Sequence, residues 1–207
     1  IYADRDLTVI LEGENTVSST EYAIHGCENL TLTGSGSLSV NGTVYSSRDL
    51  ALTGAAVFQE DGGNMALYSG ENLCFQDSHV ESVDCDTGLY AYSSINIQDS
   101  YVEIVSKSDA INCNGSVAIG GESTVTVVGE TGYGIHGDSI LISGGEVSAV
   151  GLTCGIHGML EPITITGGTI TAESTGLETY SSGIFCFGPI VISGTPTITA
   201  ISNARYA

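Results

Sequence analysis

The sequence predicts an all-β fold. It reads as a right-handed parallel β-helix, a β-solenoid of eight to nine coils with about 22 residues per coil, in a single domain over residues 1–207. Three observations predict it. Short apolar strands begin at Leu7, Leu30, Leu50, Leu73, Ile95, Val117, Ile140, Ile163 and Ile190, in steps of 23, 20, 23, 22, 22, 23, 23 and 27 residues. Two further short strands recur inside each step. No stretch carries the 3.6-residue apolar period of an amphipathic helix. A β-sandwich would not keep one spacing through so many cycles. Stacked at roughly 4.8 Å per coil, the repeats make a rod about 40 Å long.

Each element has a local reason. The first strand alternates inward and outward, as in Ile163-Thr164-Ile165, with the two-residue period of a half-buried strand. A bend follows at Gly34, Gly54, Gly121, Gly144, Gly167 and Gly194, replaced by Asp77 and Asp99 in two coils. Glycine exchanging with aspartate marks a left-handed backbone position, since both tolerate positive φ. The second strand comes seven or eight residues after the first begins, as in Leu38-Ser39-Val40, Val102-Glu103-Ile104 and Ile170-Thr171-Ala172. A variable polar loop leads to the third strand, which has a small residue, an aliphatic one, then a polar or aromatic one. Ala23-Ile24-His25, Ala66-Leu67-Tyr68 and Gly155-Ile156-His157 are examples. The inward Ile, Val and Leu side chains form a continuous core. Each is worth roughly 1.5–3 kcal/mol gross when fully buried, set against about 1–2 kcal/mol per residue of backbone ordering.

Charge narrows the partners. Twenty-four acidic residues against four basic ones give a net charge of −20. Nucleic acid is excluded, because phosphate binding needs clustered Lys and Arg. Anionic membrane surfaces are disfavoured for the same reason. No membrane insertion is expected, as no 18-residue apolar run is present. Neither a signal peptide nor an initiator Met is found.

The ends read as cuts within a longer protein. Ile1 precedes Leu7 by the same six residues that separate Ile24 from Leu30, so the chain begins inside a third strand. Uncapped coils invite strand pairing, so end-to-end or neighbouring-domain contacts are expected there. Of the six cysteines, Cys113, Cys154 and Cys186 read as small core fillers. No C-x-x-C suggests zinc, and Cys74 and Cys85 read as the more exposed pair, able to bridge.

Two sets of residues carry chemistry. Aligning the coils on the third-strand aliphatic residue gathers Glu60 and Asp61, Asp84 and Asp86, Asp109, and Glu130 along one edge. Carboxylates this close repel unless a cation or raised pKa values relieve them, and hard oxygen ligands suit Ca²⁺. A merely solvated acidic loop is the plain alternative. Asp77, Asp99, Glu81 and Glu103 form a smaller acidic patch that reads as solvated surface. The second set is the outward column of the third strand: Tyr2, His25, Tyr45, Tyr68, Tyr90, Asn112, His136, His157, Phe185 and Tyr206. Aromatic rings in register offer a flat strip for stacking on sugars. A side-chain ladder that only stabilises the coils is the alternative. His136 and His157 on adjacent coils also suggest a transition-metal pair. For catalysis, Lys107 is the one basic residue near the acidic edge. It serves either as the base of a calcium-dependent lyase or as a salt-bridge partner of Asp86 or Asp109.

Units such as Asn29-Leu-Thr-Leu-Thr-Gly-Ser-Gly36 and Ile163-Thr-Ile-Thr-Gly-Gly168, together with the Gly155-Ile-His-Gly158 strand, resemble a bacterial family. It is that of secreted parallel β-helix proteins described as carbohydrate-binding domain proteins, similar in architecture to pectate lyases. The resemblance covers essentially the whole chain and rests on scaffold residues. It implies an extracellular or cell-surface protein with bound calcium and affinity for acidic, pectic plant cell-wall polysaccharide. The Arg- and Lys-rich cleft of the lyases is missing apart from Lys107, so binding without catalysis is the leading expectation. A structural surface stalk or adhesin segment and a calcium-dependent polysaccharide lyase are the alternatives.

Overall fold

The computed structural model describes residues 1–61, 65–178 and 181–204, with the backbone alone described at Glu60 and Asp61. Among the described residues there are strands and no helix, and the strands of successive coils pair in parallel. The chain is a parallel β-solenoid of about eight turns at a spacing near 23 residues, as the repeat predicts.

The first strands make one face, a nine-stranded sheet running from Leu7–Ile10 to Ile190–Ile192. Their inward residues pile in columns. Leu32, Leu52, Phe75, Ile97, Ile119, Ile142 and Ile165 are register partners from coil to coil and are all buried. The column ends at Ile192, paired with Ile165 yet 58% exposed. The second and third strands make the other two faces. They belong to one 16-stranded sheet, because two strands pass the corner between the faces without breaking.

Those two strands, Glu14–Gly26 and Ser37–Ser46, replace the polar loop expected between second and third strands. The reason is local. Residues 14–25 contain Thr, Val and Tyr but neither Gly nor Pro, so strand propensity has nothing to interrupt it. The corner is turned by register shifts between Ser18 and Tyr22 and between Tyr22 and Ile24, the signature of β-bulges. In the following coil Gly42, at φ 107°, takes the same bend.

The bends after the first strand bear out the glycine–aspartate reading at Asp77 (φ 49°) and Asp99 (φ 48°). Two positions differ. Where two glycines follow each other, the positive φ falls on Gly145 (81°) and Gly168 (89°) rather than on Gly144 and Gly167. Two adjacent glycines leave the choice to packing, since either can adopt the conformation without strain. Corner polar groups are satisfied by ladders between coils. Asn29 and Asn72 donate through Nδ2 to Asp6 and Asp49 at 3.0 and 2.9 Å, and the Ser78 and Ser100 amides donate to the hydroxyls of Ser100 and Ser123.

No disulfide joins any of the six cysteines. The expected exposure of Cys85 does not hold: it is buried, with its Sγ 3.4 Å from the Ser82 hydroxyl. Cys74 lies on the first face, in the strand Asn72–Gln76, and Cys85 ends a second-face strand, His79–Cys85. That placement accounts for the absent bridge. Cys113 and Cys154 are core fillers as expected, whereas Cys186 is only partly buried.

Candidate functional site

The third face is where the solenoid brings distant residues together. Its strands, such as Met65–Ser69, Thr87–Ala91 and Tyr133–Gly137, have two successive buried residues between outward ones. The small residue ahead of the aliphatic one is forced by packing. A Cβ on Gly155 would sit 2.5 Å from the Glu173 amide nitrogen and 2.6 Å from the Ala149 carbonyl oxygen. Outward side chains therefore stand in two columns, one on either side of the buried pair.

The downstream column is the expected one. Tyr2, His25, Tyr45, Tyr68, Tyr90, Asn112, His136, His157 and Phe185 are register partners in that order. Tyr206 lies outside the described residues. The rings of Tyr45 and Tyr68 are 4.7 Å apart and 10° from parallel, and those of Tyr68 and Tyr90 are 5.1 Å and 12°. Rings stacked at the coil spacing turn their faces to one another and their edges and hydroxyls outward. A flat strip of open ring faces is thus not what the ladder presents. Burial and the neighbouring tyrosines push the Tyr68 phenol pKa up.

The upstream column escaped the sequence reading. It runs through Tyr22, Thr43, Met65 and Thr87, linked by register and by the Thr43 hydroxyl donating to the Met65 carbonyl at 2.7 Å, and again through Tyr133, Cys154 and Ser182, of which Cys154 is buried. Tyr22 leans on Tyr45 at 5.1 Å and 57°, with 39% of its surface exposed. A groove of about 450 Å³ lies between the columns here, bordered by Glu21, Tyr22, Thr43, Tyr45, Met65 and Tyr68. A second groove of about 500 Å³ lies further along the same face, bordered by Tyr133, Thr153, His157, Met159, Phe185 and Phe187. Phe187 stands at 89° to Phe185 and is 68% exposed. Tyr22 and Phe187 are therefore the exposed rings among those that border the two grooves. For Tyr22 the available signal was its position two before the third-strand aliphatic residue Ile24; Phe187 lies past the strand Ser182–Cys186.

His136 and His157 pack together with ring centroids 4.9 Å apart, and Tyr133 stacks on His157 at 4.4 Å and 9°. His157 is buried, and the Nδ1 atoms of both histidines are buried without a hydrogen-bond partner. Burial, with His136 second, drives the His157 pKa down to about 4 against a raising pull from Asp109. Burial likewise lowers His136, opposed by Asp109 and Asp138. Both imidazoles are neutral at pH 7.

The loops of the acidic edge do stack. Lys107 and Ser108 donate their amides to the Cys85 and Asp86 carbonyls, and Glu130 and Thr131 donate theirs to Ser106 and Lys107. The carboxylates, however, are engaged individually. Asp84, at φ 62° in a bulge, lies 3.0 Å from the Lys107 ammonium, which also donates to the Asp84 carbonyl. Asp109 accepts from the Tyr133 amide at 2.8 Å and from Asn112 Nδ2 at 2.7 Å. Among the described residues no group of three or more His, Cys, Asp or Glu side chains gathers as a metal site. The side chains of Glu60 and Asp61 lie outside the described residues, and Asp86 and Glu130 are carried on the stacked loops. Lys107 would have to leave Asp84 before that carboxylate could take a cation. The Asp84 contact also raises the Lys107 pKa, opposite to what a proton-abstracting base requires.

The smaller acidic patch is likewise occupied by protein groups. Glu81 meets His79 Nε2 at 2.6 Å, Glu103 accepts from the Tyr101 hydroxyl, and Asp99 accepts from the Glu122 amide at 2.9 Å. Among the described residues no helix is long and apolar enough to cross a membrane. Comparison of the chain with protein-family models, curated proteins and solved structures finds no match.

Proposed function

We propose that the protein binds polysaccharide along its third face, as a non-catalytic extracellular β-helix of the carbohydrate-binding kind that its repeat units resemble. The observation that carries this reading is the pair of grooves on one ring ladder, each bordered by an exposed ring, Tyr22 in one and Phe187 in the other. Concave, ring-lined grooves with a few polar groups are the usual form of such sites. Tyr45 and His157 mark their centres and are five coil steps apart along the ladder, roughly 24 Å. A polymer spans that distance; a monosaccharide does not. Ladder edges at Tyr45 and Tyr68 supply hydroxyls at the first groove, Tyr90 and His136 follow along the ladder, and His157 and Phe185 border the second groove.

The form supported best needs no metal. An acidic, pectic polymer would be repelled by a −20 surface unless a cation bridged the two, so calcium belongs to that form of the proposal alone. Retention on columns of neutral, acidic and amine-bearing polysaccharides tests the reading. Tyr22→Ala combined with Phe187→Ala is expected to weaken retention at least about tenfold, in keeping with aromatic anchors. Unchanged retention in the double variant would refute it. For polygalacturonate, loss of retention in chelator assigns a calcium bridge, and unchanged retention removes it. Silence on every column, together with self-association, favours instead a structural rod whose exposed Ile190–Ile192 strand packs on a neighbour.

A further inference from the structure

We infer that the groove at Tyr22 receives an ammonium group, and that its occupant is an amine-bearing sugar unit of a polysaccharide. The occupant rests on the glycan-binding reading; the charge does not. Three tyrosine rings border this groove, and the Tyr22 ring is inclined at 57° to Tyr45, which stacks on Tyr68. Tyr45 and Tyr68 face each other, so the exposed Tyr22 ring supplies the negative face to which a cation is drawn. Glu21 stands at the same groove, and its carboxylate pairs with no cationic side chain among the described residues. Of the described Lys and Arg side chains, Arg48 is held by Glu28, Lys107 is held by Asp84, and Arg5 does not border the groove. The net charge of −20 adds a long-range attraction for a cation.

The second groove makes the contrast. It is bordered by Phe185, Phe187, Tyr133 and Met159 with no carboxylate, and so suits the apolar face of a neutral sugar. One face thus offers a charged subsite and an uncharged one. A partly acetylated amino-sugar polymer satisfies both, with a free amine at Tyr22 and a neutral unit at Phe187.

Titration calorimetry with a fully deacetylated glucosamine hexamer and its N-acetylated counterpart, at a pH where the free amines are protonated, tests this. The deacetylated hexamer is expected to bind about tenfold more tightly in low salt. Glu21→Gln should erase that preference, while Phe187→Ala should weaken both oligomers and keep the ratio. Equal affinity for the two hexamers, or a ratio unmoved by Glu21→Gln, would overturn the charge assignment and leave glycan binding intact. If neither hexamer binds, ring-proton shifts of Tyr22 and Tyr45 with tetramethylammonium decide. Shifts lost in Glu21→Gln keep the cation site and remove its sugar occupant; no shifts remove the site.

Discussion

Phe75→Ala is expected to cost about 3–5 kcal/mol of stability, the range for emptying a large buried side chain. Phe75 is 2% exposed between Leu52 and Ile97 in the inner column of the first face, so coils above and below are pinned in place and cannot collapse into the gap. Ile192 occupies the same register three coils beyond Ile119, through Ile142 and Ile165. It is 58% exposed, and Ile192→Ala should stay within about 0.5 kcal/mol. The contrast is the useful part: one repeat position, two costs, set mainly by burial. Denaturant titrations followed by far-UV circular dichroism measure both. Equal losses would mean the column is not continuous.

Acid should weaken the fold through His157. Its folded pKa of about 4 lies below the ordinary value of 6.5, so between those values the unfolded chain binds a proton that the folded one refuses. Stability is therefore intact above pH 6.5 and falls as pH drops towards 4, by roughly 3 kcal/mol for a shift of this size. The lowered His136 pKa adds in the same direction. Protonating the many carboxylates relieves self-repulsion and works the other way, so the raw profile mixes two effects. His157→Phe separates them, since a phenyl ring fits between Tyr133 and Phe185, both stacked within 9° of His157. The variant should match wild type at pH 7 and exceed it at pH 4.5, gaining relative stability as acid is added. Parallel profiles for the two proteins would show that His157 does not carry the effect.

How much of this was readable follows from what kind of information each feature needs. The coil period, the inward columns and the left-handed aspartates follow from residue type at fixed spacing, and the register bears them out from Tyr2 paired with His25 to His157 paired with Phe185. Tyr22 was missed because the third strand buries two residues in succession, which puts an outward position two before the aliphatic one, and Phe187 because it lies past the strand Ser182–Cys186. The acidic edge was legible as a stack of loops but not as a set of partners. Whether Asp109 reaches outward or back to the Tyr133 amide depends on a side-chain rotamer and a loop length, and spacing encodes neither. The ring ladder shows the same limit. Alignment puts Tyr45, Tyr68 and Tyr90 in one column, but only coordinates reveal that their faces meet.

Tyrosine-ring NMR during titration with a glycan oligomer tests the third-face site most directly. Signals of Tyr22, Tyr45 and Tyr68 are expected to move together with saturation, while Tyr101, on the second face beside Glu103, stays still. Movement of Tyr101 with the third-face rings unchanged, or no movement of any ring by an oligomer that calorimetry shows to bind, would contradict it.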